Sequence, residues 1–279
     1  MSPYRTMSRE ALDAAYNNRL AVPEYPVLLA RRREESERIR ATRAFNADLR
    51  YGDSPRERLD FFPAREPGAA LVAFIHGGYW QSNDKESSTY VVEGPLARGF
   101  SVALVEYTLA PEADIDRIVR EIRAAVEWLA LHAAELHVDP RRLYLAGHSA
   151  GGHLAAMMLG HPAVAGAMAI SGLFELEPIR LCYLNDKLRL TGEAAQRNSP
   201  RLHLPASCPP TIVAVGANEL PELVRQSSEY AAALTAAGLP ARHLELAGHH
   251  HFSILDELAT PDGALCCALD DMAHASVAT

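Results

Sequence analysis

Leu143-Tyr144-Leu145-Ala146-Gly147-His148-Ser149-Ala150-Gly151-Gly152-His153-Leu154-Ala155-Ala156-Met157-Met158-Leu159 runs from an apolar stretch, through a Gly-x-Ser-x-Gly pentapeptide, into an Ala/Met/Leu-rich stretch. This order reads as a buried strand, a tight turn and a helix. Small residues two before and two after Ser149 let the backbone double back, which lifts the serine out of the packed layers and turns its hydroxyl toward substrate. Five letters alone carry little weight. The strand on one side and the helix on the other are what make Ser149 a candidate nucleophile.

Working outward, apolar runs of strand length recur at residues 69–75, 102–107, 143–146, 164–170, 211–215 and 241–246. They alternate with helical patterns, clearest over 114–136, where Ile115, Ile118, Ile122, Val126 and Leu129 recur at three- and four-residue intervals. Such alternation implies crossover connections and a mostly parallel sheet covered by helices on both faces, the α/β class. Short alternating segments at 48–51 and 58–62 flank Gly52-Asp53-Ser54-Pro55 and predict an antiparallel pair at one sheet edge. Residues 1–45 read as a helical appendage, with Ser8 capping a helix over 9–20 and a charged helix over 28–45 following Pro26. The pattern breaks between Gly172 and Pro210; residues 173–205 are expected to form a lid-like insertion after the sixth strand, above the carboxyl ends of the strands. Residues 1–279 are read as one domain, since α/β folds of this length often form one.

Composition narrows the function classes. Apolar residues make up 48% and charged residues 22%, ordinary values for a globular enzyme, and no run is long enough to span a bilayer. The polar start lacks an apolar signal core, so a cytoplasmic location is expected. A net charge of −8 argues against nucleic acid as a partner, because phosphate binding is driven by clustered Lys and Arg. The one basic cluster, Arg31-Arg32-Arg33, runs into Glu34 and Glu35 and reads as a solvated helix face. Cys182, Cys208, Cys266 and Cys267 form no CxxC pair and read as reduced structural residues. A small-molecule substrate is the expected partner; a homodimer is left open.

A serine hydroxyl needs a base within hydrogen-bond reach, and that base needs an orienting carboxylate. In a sheet of this kind the acid follows the next-to-last strand and the base follows the last. The turn after residues 211–215 is Gly216-Ala217-Asn218-Glu219, which makes Glu219 the expected acid and Glu222, inside the following helix, the runner-up. After residues 241–246 comes Ala247-Gly248-His249-His250-His251-Phe252. His251 is the expected base, at the entry to a terminal helix over 253–259, and His250 its rival. A metal site on the histidine run is disfavoured because consecutive side chains diverge, and no cofactor is expected. His76-Gly77-Gly78-Tyr79-Trp80 follows directly on the strand at 69–75; the N–H groups of Gly77 and Gly78, with that of Ala150, are the expected oxyanion donors. Trp80 and Tyr79 are weaker candidates for substrate contacts, since aromatic residues in such loops are more often anchors.

At these residues the chain resembles the kynurenine formamidases (arylformamidases) of the α/β-hydrolase fold, within the esterase/lipase group that carries an HGGxW sequence. The resemblance extends through Gln81-Ser82, Leu109-Ala110-Pro111, Ser171-Gly172-Leu173-Phe174-Glu175-Leu176-Glu177-Pro178, Asn185-Asp186-Lys187-Leu188-Arg189, Ala195-Gln196-Arg197-Asn198-Ser199-Pro200 and Arg225-Gln226-Ser227, about residues 50–258. The elbow is shared by many hydrolases, whereas residues 176–200 are much more specific. The resemblance implies Ser149 as nucleophile, His251 as base and Glu219 as acid, where an Asp is common in the animal enzymes. It implies hydrolysis of N-formyl-L-kynurenine to kynurenine and formate, a step of tryptophan catabolism; the residues by themselves imply acyl transfer only. A carboxylesterase or arylamidase of the same fold is the nearest alternative, and metal-dependent formamidase chemistry or a non-catalytic binding module the more distant ones.

Overall fold

A computed structural model describes residues 3–275. Eight strands form one sheet: β1 (Asn46–Arg50), β2 (Arg58–Phe62), β3 (Ala69–Ile75), β4 (Ser101–Val105), β5 (Val138–His148), β6 (Val164–Ile170), β7 (Thr211–Gly216) and β8 (Ala241–Leu246). Their spatial order is β1-β2-β4-β3-β5-β6-β7-β8, and pairing is parallel except for β1 with β2 and β2 with β4. The antiparallel pair thus lies at one edge, as the turn at 52–55 predicts.

β3, Ala-Ala-Leu-Val-Ala-Phe-Ile, is an unbroken apolar run because both faces of a central parallel strand are covered. Its side chains divide with a period of two. Leu71, Ala73 and Ile75 enter one core cluster, and Ala70, Val72 and Phe74 enter the other. The N-terminal helices α1 (Arg9–Ala15), α2 (Asn18–Ala21) and α3 (Tyr25–Thr42) precede the sheet, and α4 (Glu93–Ala97) precedes β4. α5 (Ile115–Leu131) crosses from β4 to β5; the Asp114 carboxylate caps it by accepting from the Arg117 N–H at 2.8 Å. Its stripe of Ile115, Ile118, Ile122, Val126 and Leu129 is buried, each side chain contributing about 1.5–3 kcal/mol of transfer free energy. α6 (Ala150–Met157) leaves β5 at the elbow. The break after β6 holds three short helices, α7 (Glu177–Leu181), α8 (Asn185–Leu188) and α9 (Gly192–Arg197), and the chain closes with α10 (Pro221–Ala236), α11 (Asp256–Ala259) and α12 (Ala264–Ala275).

Differences from the sequence reading lie at boundaries. The helix expected over 9–20 breaks into α1 and α2, because the Asn17 side chain accepts from the Leu20 N–H and restarts the helix. β5 begins at Val138 rather than 143, and the terminal helix expected over 253–259 opens with a 3₁₀ turn, Ser253–Leu255. The N-terminal segment is tightly joined to the rest. Tyr4, Leu12 and Tyr16 are buried in the larger core cluster, and the Tyr16 hydroxyl donates to Glu222 at 2.8 Å. Asp13 accepts from the Tyr183 N–H at 2.6 Å, which binds α1 to the insertion. All four cysteines are unpaired, and among the described residues no helix is long and apolar enough to cross a membrane.

Candidate active site

The elbow is built by crowding. A Cβ at Gly147 would collide with the Gly151 carbonyl, and one at Gly151 with the Ile75 carbonyl, so neither position admits a side chain. Ser149 itself sits at φ +57°, ψ −118°, a region costly for a residue with a Cβ. The neighbouring strand holds it there: the Ser149 N–H donates to the Ile170 carbonyl at 2.8 Å, and its own carbonyl starts α6 by accepting from the His153 N–H at 3.0 Å.

Glu219 and His251 are brought together by the pairing of β7 with β8, in which Gly216 stands opposite Leu246. Both turns leave the same end of the sheet and are tied to each other, the Asn218 N–H donating to the His249 carbonyl at 2.9 Å. The Glu219 carboxylate then takes three donors. Oε1 accepts from the Gly216 N–H at 2.8 Å and the Ser171 hydroxyl at 2.5 Å, and Oε2 accepts from His251 Nδ1 at 2.7 Å. Burying a carboxylate is costly unless donors meet its oxygens, and here both oxygens are met. Nδ1–H facing Glu219 leaves His251 Nε2 as the basic nitrogen. His251 and Ser149 line the same cavity, of about 380 Å³.

The competing residues go elsewhere. Glu222 is bound by Tyr16 and by Arg225, whose Nε and Nη2 lie at 2.8 and 2.7 Å. The three consecutive histidines diverge to three carboxylates: His249 to Glu257 at 3.3 Å, His250 to Glu24 at 3.3 Å and His251 to Glu219. His250 Nδ1 also accepts from the Phe252 and Ser253 N–H groups, at 3.2 Å each, so it closes the turn that presents His251.

Gly77 and Gly78 form part of the cavity wall. A Cβ on Gly77 would lie 2.8 Å from the His148 carbonyl and 3.0 Å from Ser149 Cβ, which shows how closely this loop is laid against the elbow; Gly78 takes φ +109°. Ala150 is the first residue of α6, where N–H groups have no partner within the helix. His76 anchors the loop from behind, with Nε2 2.9 Å from Glu106 Oε1 and its ring stacked on Tyr107 at 4.4 Å. Burial raises the Glu106 carboxyl, but His76 and Arg56 beside it outweigh that and hold it at about 2. Tyr79 lines the cavity. The weak expectation of a substrate contact at Trp80 is corrected: its side chain is fully buried edge-on against His153, 5.0 Å between ring centroids, and is no part of the cavity wall.

Two residues escaped the sequence reading. Ser171 supplies a donor to Glu219 from the end of β6, and His148, inside the pentapeptide, has Nε2 2.7 Å from the His251 carbonyl oxygen with the two rings 4.6 Å apart. Burial, then the neighbouring His251, push His148 well below the ordinary histidine range, so it is the neutral tautomer with Nε2–H that donates. Parallel register was the available signal: His148 stands opposite Ile170, which places Ser171 beside Ser149.

The family model described as BD-FAE matches residues 59–164. The kynurenine formamidase of Danio rerio is 34% identical, covering 92% of this chain and 94% of that one. That of Salmo salar is 34% identical over 82% of each chain. Among solved structures, a provisionally named thioesterase from a Silicibacter species superposes with a TM-score of 0.84 at 30% identity, covering 92% of this chain and 98% of its own.

Proposed function

We propose, from the premise that the chain belongs to the kynurenine formamidase family of α/β-hydrolases, that its substrate is N-formyl-L-kynurenine and its products are L-kynurenine and formate. The observation that carries the catalytic assignment is the Glu219–His251 hydrogen bond of 2.7 Å, whose imidazole lines the same cavity as Ser149. His251 Nε2 takes the Ser149 hydroxyl proton as Oγ bonds to the formyl carbon, and Glu219 stabilises the resulting imidazolium. The N–H groups of Gly77, Gly78 and Ala150 receive the developing oxyanion. His251 then returns its proton to the aniline nitrogen as the C–N bond breaks. Water, deprotonated by the same His251, attacks the formyl-serine, releasing formate and restoring the Ser149 hydroxyl.

An ester- or thioester-hydrolysing activity shares this machinery, and the naming of the Silicibacter protein as a thioesterase makes it the second reading. Values of kcat/KM for N-formyl-L-kynurenine and p-nitrophenyl acetate separate the two; a preference for the ester by orders of magnitude overturns the first. We place the enzyme in the cytoplasm, a location supported by four unpaired cysteines, which persist in a reducing compartment.

A further inference from the structure

The formyl end of the substrate is served by the elbow, the glycine loop and His251, yet the same cavity is also lined by Asn18 and Arg19 of α2 and Lys187 of α8. Asn18 is 4% exposed there. Its Nδ2 donates to the Tyr79 hydroxyl at 2.9 Å, and that hydroxyl donates its single proton to the Tyr16 carbonyl at 2.8 Å. The phenol can therefore only accept from Asn18, which fixes the amide with its nitrogen toward Tyr79 and its oxygen free. Asn18 Oδ1 is buried and has no hydrogen-bond partner among the described residues. An orphaned acceptor of this kind is destabilising unless a ligand supplies a donor.

Two cations line the same cavity. Arg19 lies over the Tyr25 ring at 5.4 Å, and Lys187 of α8 donates to the Gln81 carbonyl at 3.0 Å. Neither has a carboxylate partner among the described residues, whereas Arg32, which also lines the cavity, is paired with Asp256 at 3.0 Å. Two cations without a carboxylate partner and one acceptor without a donor are the complement of an ammonium and a carboxylate held on one ligand.

We propose that these residues read the far end of the substrate as a zwitterionic amino-acid head group: Asn18 Oδ1 accepts from its α-ammonium, and Arg19 with Lys187 binds its α-carboxylate. The inference rests on the formamidase reading and adds the residues that recognise the part of the substrate that does not react. It also gives the N-terminal segment a function, since Asn18 and Arg19 stand on the same four-residue helix.

The test uses N-formyl-L-kynurenine against formanilide, which has the same scissile bond and no head group, on full-length protein. Arg19→Ala, at an exposed position, is expected to lower the ratio of the two kcat/KM values roughly tenfold, through KM for N-formyl-L-kynurenine, as one charge-assisted hydrogen bond is lost. Asn18→Leu moves the ratio the same way, and Arg19→Lys restores most of it. Equal losses on both substrates overturn the head-group site and leave the formamidase reading standing. If the wild type cleaves neither formamide, that reading falls, and inhibition of p-nitrophenyl acetate hydrolysis decides the site separately. Tighter inhibition by L-kynurenine than by 2-aminoacetophenone, lost in Arg19→Ala, supports the head-group site; equal inhibition by the two overturns it.

Discussion

The two walls of the cavity are built on opposite plans. On the inner wall, at the carboxyl end of the sheet, every polar group of the acid is satisfied: Glu219 takes three donors, and His148 and His250 brace the turn carrying His251. On the outer wall, lined by residues of the N-terminal segment and the insertion, Asn18 Oδ1 has no hydrogen-bond partner and Arg19 and Lys187 no opposing carboxylate among the described residues. A reacting group must be held in one geometry before substrate arrives, so its partners belong to the protein. A recognising group must keep its partner open until the ligand supplies it.

Substitutions on the inner wall should break this contrast in turnover, and the largest effect is expected at the proposed nucleophile. Ser149→Ala should lower kcat by about 10⁴-fold or more with the fold retained, read by steady-state kinetics alongside circular dichroism. Next come two carboxylates three residues apart. Glu219→Gln should lower kcat by roughly 10³- to 10⁴-fold, because the imidazolium loses its counter-charge. Glu222→Gln should change kcat by less than about tenfold while lowering stability by about 1–2 kcal/mol, since Arg225 loses its closest carboxylate but keeps Glu229 at 2.9 Å and Glu175 at 3.3 Å. Equal kinetic effects would reject the assignment of Glu219. A smaller change is expected from His148→Phe, about 10- to 100-fold in kcat, because His251 loses the donor to its carbonyl while keeping Glu219.

A separate effect concerns stability behind the inner wall. His153 is fully buried, and burial lowers it to about 4 although its contact with the Asn198 carbonyl opposes the shift. The unfolded chain takes up a proton near pH 6.5 and the folded one does not, so stability is full above that pH and falls between pH 6.5 and 4, by about 3 kcal/mol from this residue. Unfolding curves of His153→Gln should be flatter over that window. An unchanged pH slope would show that His153 does not stay neutral in the folded protein.

Legibility in the sequence followed the range of the interactions. The elbow, the parallel strands and the turn positions of Glu219 and His251 could be read because periodicity and glycine spacing are local signals. Trp80 was weighed for the cavity because an aromatic residue in a loop does not reveal which way it faces, and the positive φ of both Tyr79 and Trp80 turns the loop so that only Tyr79 reaches the wall. Ser171 and His148 escaped because a hydroxyl and an imidazole gain their partners only across neighbouring strands and turns.

The sequence by itself determined the α/β layering, the candidate nucleophile and the order in which the candidate acid and base follow it, since each depends on residues within a few positions of one another. Only the tertiary structure decided which of three histidines meets Glu219, that Glu222 belongs to an ionic network with Tyr16 and Arg225, and that residues of α2 line the cavity. Those outcomes depend on side-chain direction and on contacts between residues as far apart as Tyr16 and Glu222. Strand register and long-range packing set both.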